Sequence, residues 1–302
     1  MASKKLLFDG NGMGYRYHNA NKLTTTFKNG VLETQSIYGF LRMMSKRLRD
    51  DRDATPLVLW DGHPQWRYDK FPDYKSDRER DQRSKDMRAS FRVSRPFILH
   101  GFKLLGVKQI TYSTGEADDL AGYFSQALTG GEIELVTGDS DWLGLVRPGV
   151  SWHNPIKGDT VTSDTFYDYT GFQTGKAFYE GKALMGDASD SLPPVGGIGE
   201  KTAPVFLAKH QSVEDFFARY DSGEYVTKSK VEQRLAGEGR EIFRLNYEIM
   251  NLLDTPKPKS EDLVIEQGQF DADKVRNYLA TLGFVSLLKD FSNFIQPFEA
   301  RA

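Results

Sequence analysis

The chain contains no cysteine, which excludes disulfides, thiolate metal sites and cysteine nucleophiles together. Histidine is scarce. His18, His63, His100, His153 and His210 are the five in 302 residues, and no two stand at the short spacing of a zinc-ligand pair. Any metal must therefore be held by oxygen or by isolated imidazoles. No run approaches the roughly 18 apolar residues of a membrane span. Near the amino terminus only Leu6, Leu7 and Phe8 are consecutive apolar residues, short of the ~7-residue core of a secretory signal. A soluble, intracellular protein is the expectation. Repeats and low-complexity linkers are also lacking. What remains is an ordinary globular composition, 39% hydrophobic and 27% charged, long enough for one large domain or two modest ones.

The net charge of −2 conceals a segregation. Residues 67–95 hold ten basic residues against six acidic ones. Acidic residues gather elsewhere in tight groups: Glu116-Ala117-Asp118-Asp119, Asp139-Ser140-Asp141 and Asp187-Ala188-Ser189-Asp190. A charge run is commonly a solvated face, but separate blocks of both signs suit a metal-using enzyme that acts on nucleic acid.

The first two-thirds alternates strand-like and helix-like segments. Residues 4–9, 56–61, 107–112 and 132–137 read as short buried strands, with Trp152 and Val161 in later ones. Residues 31–49, 97–105 and 116–128 read as helices. This alternation predicts an α/β fold with a mostly parallel central sheet flanked by helices. Beyond about Ser191 the pattern changes to helices only, over 201–209, 212–220, 240–253 and 272–282, the last N-capped by Asp271 and stopped by Gly283. The basic stretch between Pro64 and Pro96 lacks an apolar stripe, so it should project into solvent and stay mobile until a ligand orders it.

In open parallel sheets ligands bind at the carboxyl ends of the strands. Asp9 and Asp61 end two strands, and Asp139 and Asp141 follow a third. Glu116, Asp118 and Asp119 open the next helix. Each group alone also suits a helix N-terminus or a turn. Together they would repel one another, and a stable protein tolerates that only if cations neutralise the site. Magnesium, a hard cation with a liking for oxygen and phosphate, suits it. Two ions ~4 Å apart would activate a water and stabilise a leaving oxygen.

Six motifs then stand in order: Asp9-Gly10-Asn11, Phe71-Pro72-Asp73-Tyr74-Lys75-Ser76-Asp77-Arg78, Glu116-Ala117-Asp118-Asp119, Thr137-Gly138-Asp139-Ser140-Asp141, Gly186-Asp187-Ala188-Ser189-Asp190 and the run Pro194-Val195-Gly196-Gly197-Ile198-Gly199-Glu200-Lys201-Thr202. The series resembles the flap endonuclease / 5′→3′ exonuclease family, in its stand-alone phage enzymes and in the N-terminal nuclease domain of bacterial DNA polymerase I. It runs from residue 4 to about residue 285.

The resemblance implies a PIN-like 5′-nuclease fold. Residues 1–190 would form the catalytic domain, with a helical arch at about 64–95, and 191–302 a helical region that binds duplex DNA through a helix-hairpin-helix-like motif. It places Asp9, Asp61, Glu116, Asp118 and Asp139 around a first metal with Asp119 beside them, and Asp141, Asp187 and Asp190 around a second. Lys75 and Arg78 would reach the scissile phosphate from the arch. Tyr74 would stack on a base, and Arg16 would lie near the active site. Ser191 departs from the family's usual Asn, a change beside Asp190 that bears on how that carboxylate is oriented.

The glycine run is not a P-loop, since Glu200 separates Gly199 from Lys201 and no glycine stands five residues before Gly199. It reads instead as a hairpin in which Gly197, Gly199 and Lys201 grip a duplex phosphate, and the resemblance adds a potassium ion there. The expected activity is structure-specific cleavage of 5′ flaps and 5′ ends of DNA by a monomer, with two Mg²⁺ ions that Mn²⁺ replaces. Its setting would be replication and RNA-primer removal in the cytoplasm of a bacterial or phage-infected cell. The alternatives are a PIN-like ribonuclease, a catalytically inactive DNA-structure-binding module, and a phosphotransferase with an Asp nucleophile in Asp139-Ser140-Asp141.

Overall fold

The computed structural model describes residues 4–302 apart from Asn21, Asn29, Arg80 and Asp81, and apart from the side chains of Arg78 and Glu79. Its frame is a seven-stranded sheet in the order β8-β7-β6-β1-β4-β5-β9. The strands are β1 (Lys5–Asp9), β4 (Thr55–Asp61), β5 (Lys108–Tyr112), β6 (Ile133–Val136), β7 (Val150–His153), β8 (Thr160–Val161) and β9 (Leu263–Glu266). The five inner strands pair in parallel, and the edge strands β8 and β9 run antiparallel to their neighbours. A separate hairpin joins β2 (Thr24–Phe27) to β3 (Gly30–Glu33).

The central strand shows why the sheet is covered on both faces. Leu6, Leu7 and Phe8 are all fully buried, and successive side chains of a strand point to opposite faces. Leu7, with Leu59 and Leu135, belongs to one core; Leu6 and Phe8, with Val58 and Trp60, belong to the other. The first core is roofed by α5 (Ala117–Ala127), α6 (Phe166–Thr170), α7 (Gly175–Met185), α8 (Ala203–His210), α9 (Val213–Asp221), α10 (Lys230–Ala236) and α11 (Gly239–Met250). The second is closed by α1 (Gly10–His18), α2 (Gln35–Asp50), α4 (Gln82–Leu104), α12 (Ala272–Thr281), α13 (Val285–Lys289) and α14 (Phe291–Glu299). The short α3 (Gln65–Lys70) precedes α4. No helix among the described residues is long and apolar enough to cross a membrane.

Three sequence expectations are corrected here. The region beyond Ser191 is not helical only: β9 completes the sheet beside β5, and α12–α14 return Val275, Phe284, Phe291 and Phe298 to the second core. Residues 97–105 are not a separate helix either, because α4 runs through Pro96 without a break. A proline inside a helix costs ~3 kcal/mol or more. Here burial of Phe91, Ile98 and Phe102 along one face of α4 offsets it. That apolar stripe begins inside the basic stretch, so the described part of the stretch docks on the core instead of projecting freely. At its start Arg67 and Tyr74 are buried as well.

Candidate active site

The carboxyl ends of β1, β4 and β6 carry Asp9, Asp61 and, three residues on, Asp139 to one edge of the sheet, and α5 brings Glu116 and Asp118 to it. Each carboxylate is fixed by short bonds. Asp9 N-caps α1 by accepting from the Gly12 amide (2.7 Å), and its second oxygen accepts from the Thr137 hydroxyl (2.8 Å). Gly12 must be glycine, since a Cβ there would lie 2.0 Å from the Asp9 carboxylate. Asp61 accepts from the Ala117 amide (2.8 Å). Asp118 accepts from the buried Trp142 indole (2.7 Å). Asp139 accepts from the Asp141 amide (2.9 Å), and its own amide donates to Thr137.

Electrostatics confirms the convergence. Burial, then the neighbouring charge of Asp61, pushes the Asp9 carboxyl up to about 6. Asp61 rises through burial and the charges of Glu116 and Asp118, and Asp118 through burial and those of Glu116 and Asp9. Asp139 rises well above the carboxylate range through burial and the charges of Asp141 and Asp118. Glu116 is the exception. Burial alone would raise it, but the Lys75 ammonium and the Arg67 guanidinium outweigh burial and hold it to about 2.

Lys75 forms an ion pair with Glu116, and Tyr74 donates its hydroxyl to Glu116 (2.9 Å) and Asp190 (3.2 Å). Lys75 has φ +60° and Ser191 φ +61°, left-handed backbone that costs non-glycine residues roughly 1 kcal/mol or more. The two turns brace each other: the Lys75 amide donates to the Asp190 carbonyl, and the Asp77 amide donates to Ser191 Oγ (3.1 Å). Ser191 thus has a positioning contact of its own. The Tyr74 ring is only 3% exposed and packs edge-on against Tyr68. Base stacking by Tyr74 would therefore need this turn to move.

A second acidic group adjoins the first. Asp141 follows Asp139, Asp187 caps the turn leading to Asp190, and Lys182 of α7 bonds Asp141 and stands 3.8 Å from Asp187. Asp119, next to Asp118 in α5, has partners of its own. It is fully buried, accepts from the Glu116 amide (2.9 Å) in a capping box for α5, and pairs with Arg67 (2.8 Å). Its Oδ2 serves the helix cap and the arch base, while its buried Oδ1 has no hydrogen-bond partner among the described residues.

Arg16 is exposed in the last turn of α1, and the glycine hairpin forms part of the helical region; neither bonds to the carboxylates among the described residues. Gly197 is left-handed (φ +78°), and the Gly199 amide is taken by the Thr202 hydroxyl (2.9 Å), so that amide is not free as the sequence reading expected. Lys201 is exposed. The Arg78 side chain lies outside the described residues. Arg67, Trp142 and Lys182 are the site residues that sequence reasoning missed.

Between the sheet edge and α4 lies a cavity of about 690 Å³, lined among others by Asn11, Asp61, Tyr74, Lys75, Arg88 and Arg95. Among the described residues no three acidic or imidazole groups form a ready ligand set for an ion, and two lysine ammonium groups stand among the donors. The donor chemistry fits a hard divalent cation nonetheless: the donors are oxygens only, and Asp9, Asp61, Asp118 and Asp139 are raised in pKa in part by neighbouring carboxylates.

Two family models match most of the chain: the N-terminal resolvase-like domain of 5′-3′ exonucleases over residues 4–173, and their C-terminal SAM fold over residues 173–270. The chain belongs to the 5′-3′ exonuclease family. This is a family of hydrolytic nucleases. The chain is 30% identical over 297 residues to DNA polymerase I of Bacillus caldotenax, covering 96% of this chain and 32% of that one. It is 28% identical over 302 residues to the 5′-3′ exonuclease of Aquifex aeolicus, covering 98% of each. It thus spans about a third of the polymerase relative and nearly all of the stand-alone one. Its fold is that of the bacteriophage T5 D15 flap endonuclease, solved with DNA and metal ions: TM-score 0.68, 20% identity, 98% and 99% of the two chains covered.

Proposed function

We propose that this chain is a structure-specific, metal-dependent 5′ nuclease that hydrolyses phosphodiester bonds at 5′ flaps and 5′ ends of DNA, and that it removes RNA-primed ends in replication. The observation that carries this reading is the convergence of mutually repelling carboxylates, from buried Asp9 to exposed Asp139, beneath a cavity walled by cations. Repulsion of that kind, with lysine and arginine opposite, suits a site that takes up cations and a phosphate together.

Asp9, Asp61, Glu116, Asp118 and Asp139 would hold one divalent ion, and Asp141, Asp187 and Asp190 a second, with Mg²⁺ as the physiological ion and Mn²⁺ as substitute. Bound there, such ions supply Lewis-acid stabilisation of phosphate oxygens and a water of lowered pKa. The protein's own part is positioning. Gly12, Thr137, the Ala117 amide and Trp142 orient the carboxylates before substrate arrives. Lys75, once exchanged from Glu116, would place its ammonium on the scissile phosphate, with Arg78 beside it in sequence. Arg88, Arg92 and Arg95 line the passage and would neutralise the strand that enters it. Helices α8–α11, with the glycine hairpin, would hold the duplex by its phosphates, while residues 263–302 serve the sheet.

A 5′-labelled flap duplex incubated with the protein and Mg²⁺ should be cut near the branch point, and EDTA should abolish the cut. Cleavage that persists in EDTA, or none in either Mg²⁺ or Mn²⁺, would refute the reading.

A further inference from the structure

Lys182 is a cation that none of the family motifs contains, yet it occupies the second acidic group. It projects from the last turn of α7 with its side chain 14% exposed, bonds the Asp141 carboxylate and stands 3.8 Å from Asp187. Its ammonium thus lies against two carboxylates of the group at once.

The helix that carries it is held from several sides. Thr174 caps its start, and Gly186 ends it in the left-handed region one residue before Asp187. Tyr179, one turn earlier on the same face, donates its hydroxyl to the Asp141 carbonyl (2.9 Å). Asn246 of α11 ties the Ala183 carbonyl to that of Pro193 (2.9 and 2.8 Å). A lysine mounted this firmly is part of the site's charge inventory, not a passing surface contact.

We propose that Lys182 is a resident counter-ion that competes with a divalent cation for Asp141 and Asp187, so that the second acidic group takes up its ion firmly only when a phosphate brings further negative charge. This rests on the reading of Asp141, Asp187 and Asp190 as cation ligands. The reasoning is Coulombic. A single positive charge within hydrogen-bond distance of a carboxylate lowers that carboxylate's attraction for any other cation, most strongly where burial excludes solvent. An incoming phosphodiester reverses the balance, since it draws the ammonium and the ion at once. Lys182 would thereby make occupancy of the second group depend on substrate.

The test is calorimetric titration of the full chain with Ca²⁺ in the absence of DNA, for wild type, Lys182→Met and Lys182→Arg. Lys182→Met keeps the length of the side chain and removes its charge. It should bind Ca²⁺ at least about tenfold more tightly at its weakest resolved site, or bind one ion more than wild type. Lys182→Arg should match wild type. A merely structural lysine predicts the opposite, because its loss would loosen Asp141 and weaken binding. Equal or weaker binding by Lys182→Met therefore overturns the proposal while leaving the cation site standing. If neither protein binds Ca²⁺, the cation reading itself falls and this inference with it. Should Lys182→Met lose its native circular dichroism, Lys182→Gln titrated in the same way decides.

Discussion

Acidic side chains in two regions of this molecule meet opposite surroundings. At the sheet edge Asp9, Asp61, Asp118 and Asp139 face one another, and each is pushed up by burial and by its neighbours' charge. In the helical region Glu232 of α10 is buried, but it meets Lys209 (2.7 Å), His210 (3.2 Å) and the Tyr225 hydroxyl (2.9 Å) and is pulled down to about 2. The first region keeps its repulsion in reserve for something that arrives from outside; the second resolves its charge internally and is held together by it. Function and stability are thereby assigned to different carboxylates, as expected where a site must stay receptive. The contrast predicts a double dissociation.

The largest effect should come from Asp118→Asn. The amide keeps the acceptor for Trp142 and removes one charge from the crowded edge. Cleavage of a 5′ flap in Mg²⁺ should fall by ~10³-fold or more, because positioned electrostatic groups of this kind supply that much. The same substitution should stabilise the metal-free protein by about 1 kcal/mol, a rise of roughly 2–4 °C in Tm for a chain of this size, by relieving like-charge repulsion. Calorimetry in EDTA beside a single-turnover assay checks both halves. A lower Tm would mean that the edge is held together by its charges, and the contrast would collapse.

Lys75 comes next. If it reaches the scissile phosphate, Lys75→Ala should slow the single-turnover rate at saturating substrate by ~10²-fold. Lys85→Ala removes an exposed charge from α4 and should change affinity slightly and the rate hardly at all. Equal, modest losses from both would reduce Lys75 to part of a general positive field.

A smaller effect is expected from Trp142→Phe, which keeps an aromatic ring but deletes the N–H that orients Asp118. Loss of such an orienting bond costs 10–100-fold in metal affinity or activity. The Mg²⁺ concentration for half-maximal cleavage should rise about tenfold. An unchanged midpoint would show that the Ala117 amide, Thr137 and Gly12 suffice to order the edge.

The sequence made the sheet edge legible because β1, β4 and β6 are short apolar runs that stop at, or three residues before, an aspartate. Local pattern sufficed for Asp9, Asp61 and Asp139. It failed wherever a residue's environment is set by a partner far along the chain. Arg67 lies in a segment whose charge reads as solvated, yet it is buried against Asp119, 52 residues on. Lys182 sits in an unremarkable helix and meets Asp141, 41 residues back. Pro96 argued for a break that burial of Phe91 and Ile98 overrides. Strand β9 is four residues long and gains its identity only from pairing with β5. The hairpin β2–β3 takes residues 31–33 from the helix that periodicity assigned to 31–49.

The other arm of the dissociation is Glu232, where the effect is smallest and the sign is reversed. Burial would raise this carboxyl, but hydrogen bonds from Lys209, Thr227, Tyr225 and His210 outweigh it and lower it from 4.5 to about 2. Arg219 closes the far side of the cluster by donating to His210 Nδ1 (3.0 Å). A carboxyl depressed in the folded state contributes stability above its unfolded pKa and loses it as pH falls through the folded one. Wild-type protein should therefore shed this contribution progressively between about pH 5 and pH 2. Glu232→Gln keeps the shape and should cost about 1–2 kcal/mol at pH 7. Its stability should then be flatter than wild type across that acid window. Burial also lowers His210 below its ordinary value, so both proteins should weaken as pH drops below about 6.5; only the lower limb separates them. Flap cleavage per folded molecule should be unchanged, since Glu232 shares no bond with the sheet-edge carboxylates among the described residues. Urea melts at pH 7, 5 and 3 decide it: parallel losses in wild type and Glu232→Gln would show that this carboxylate does not hold the helical region together.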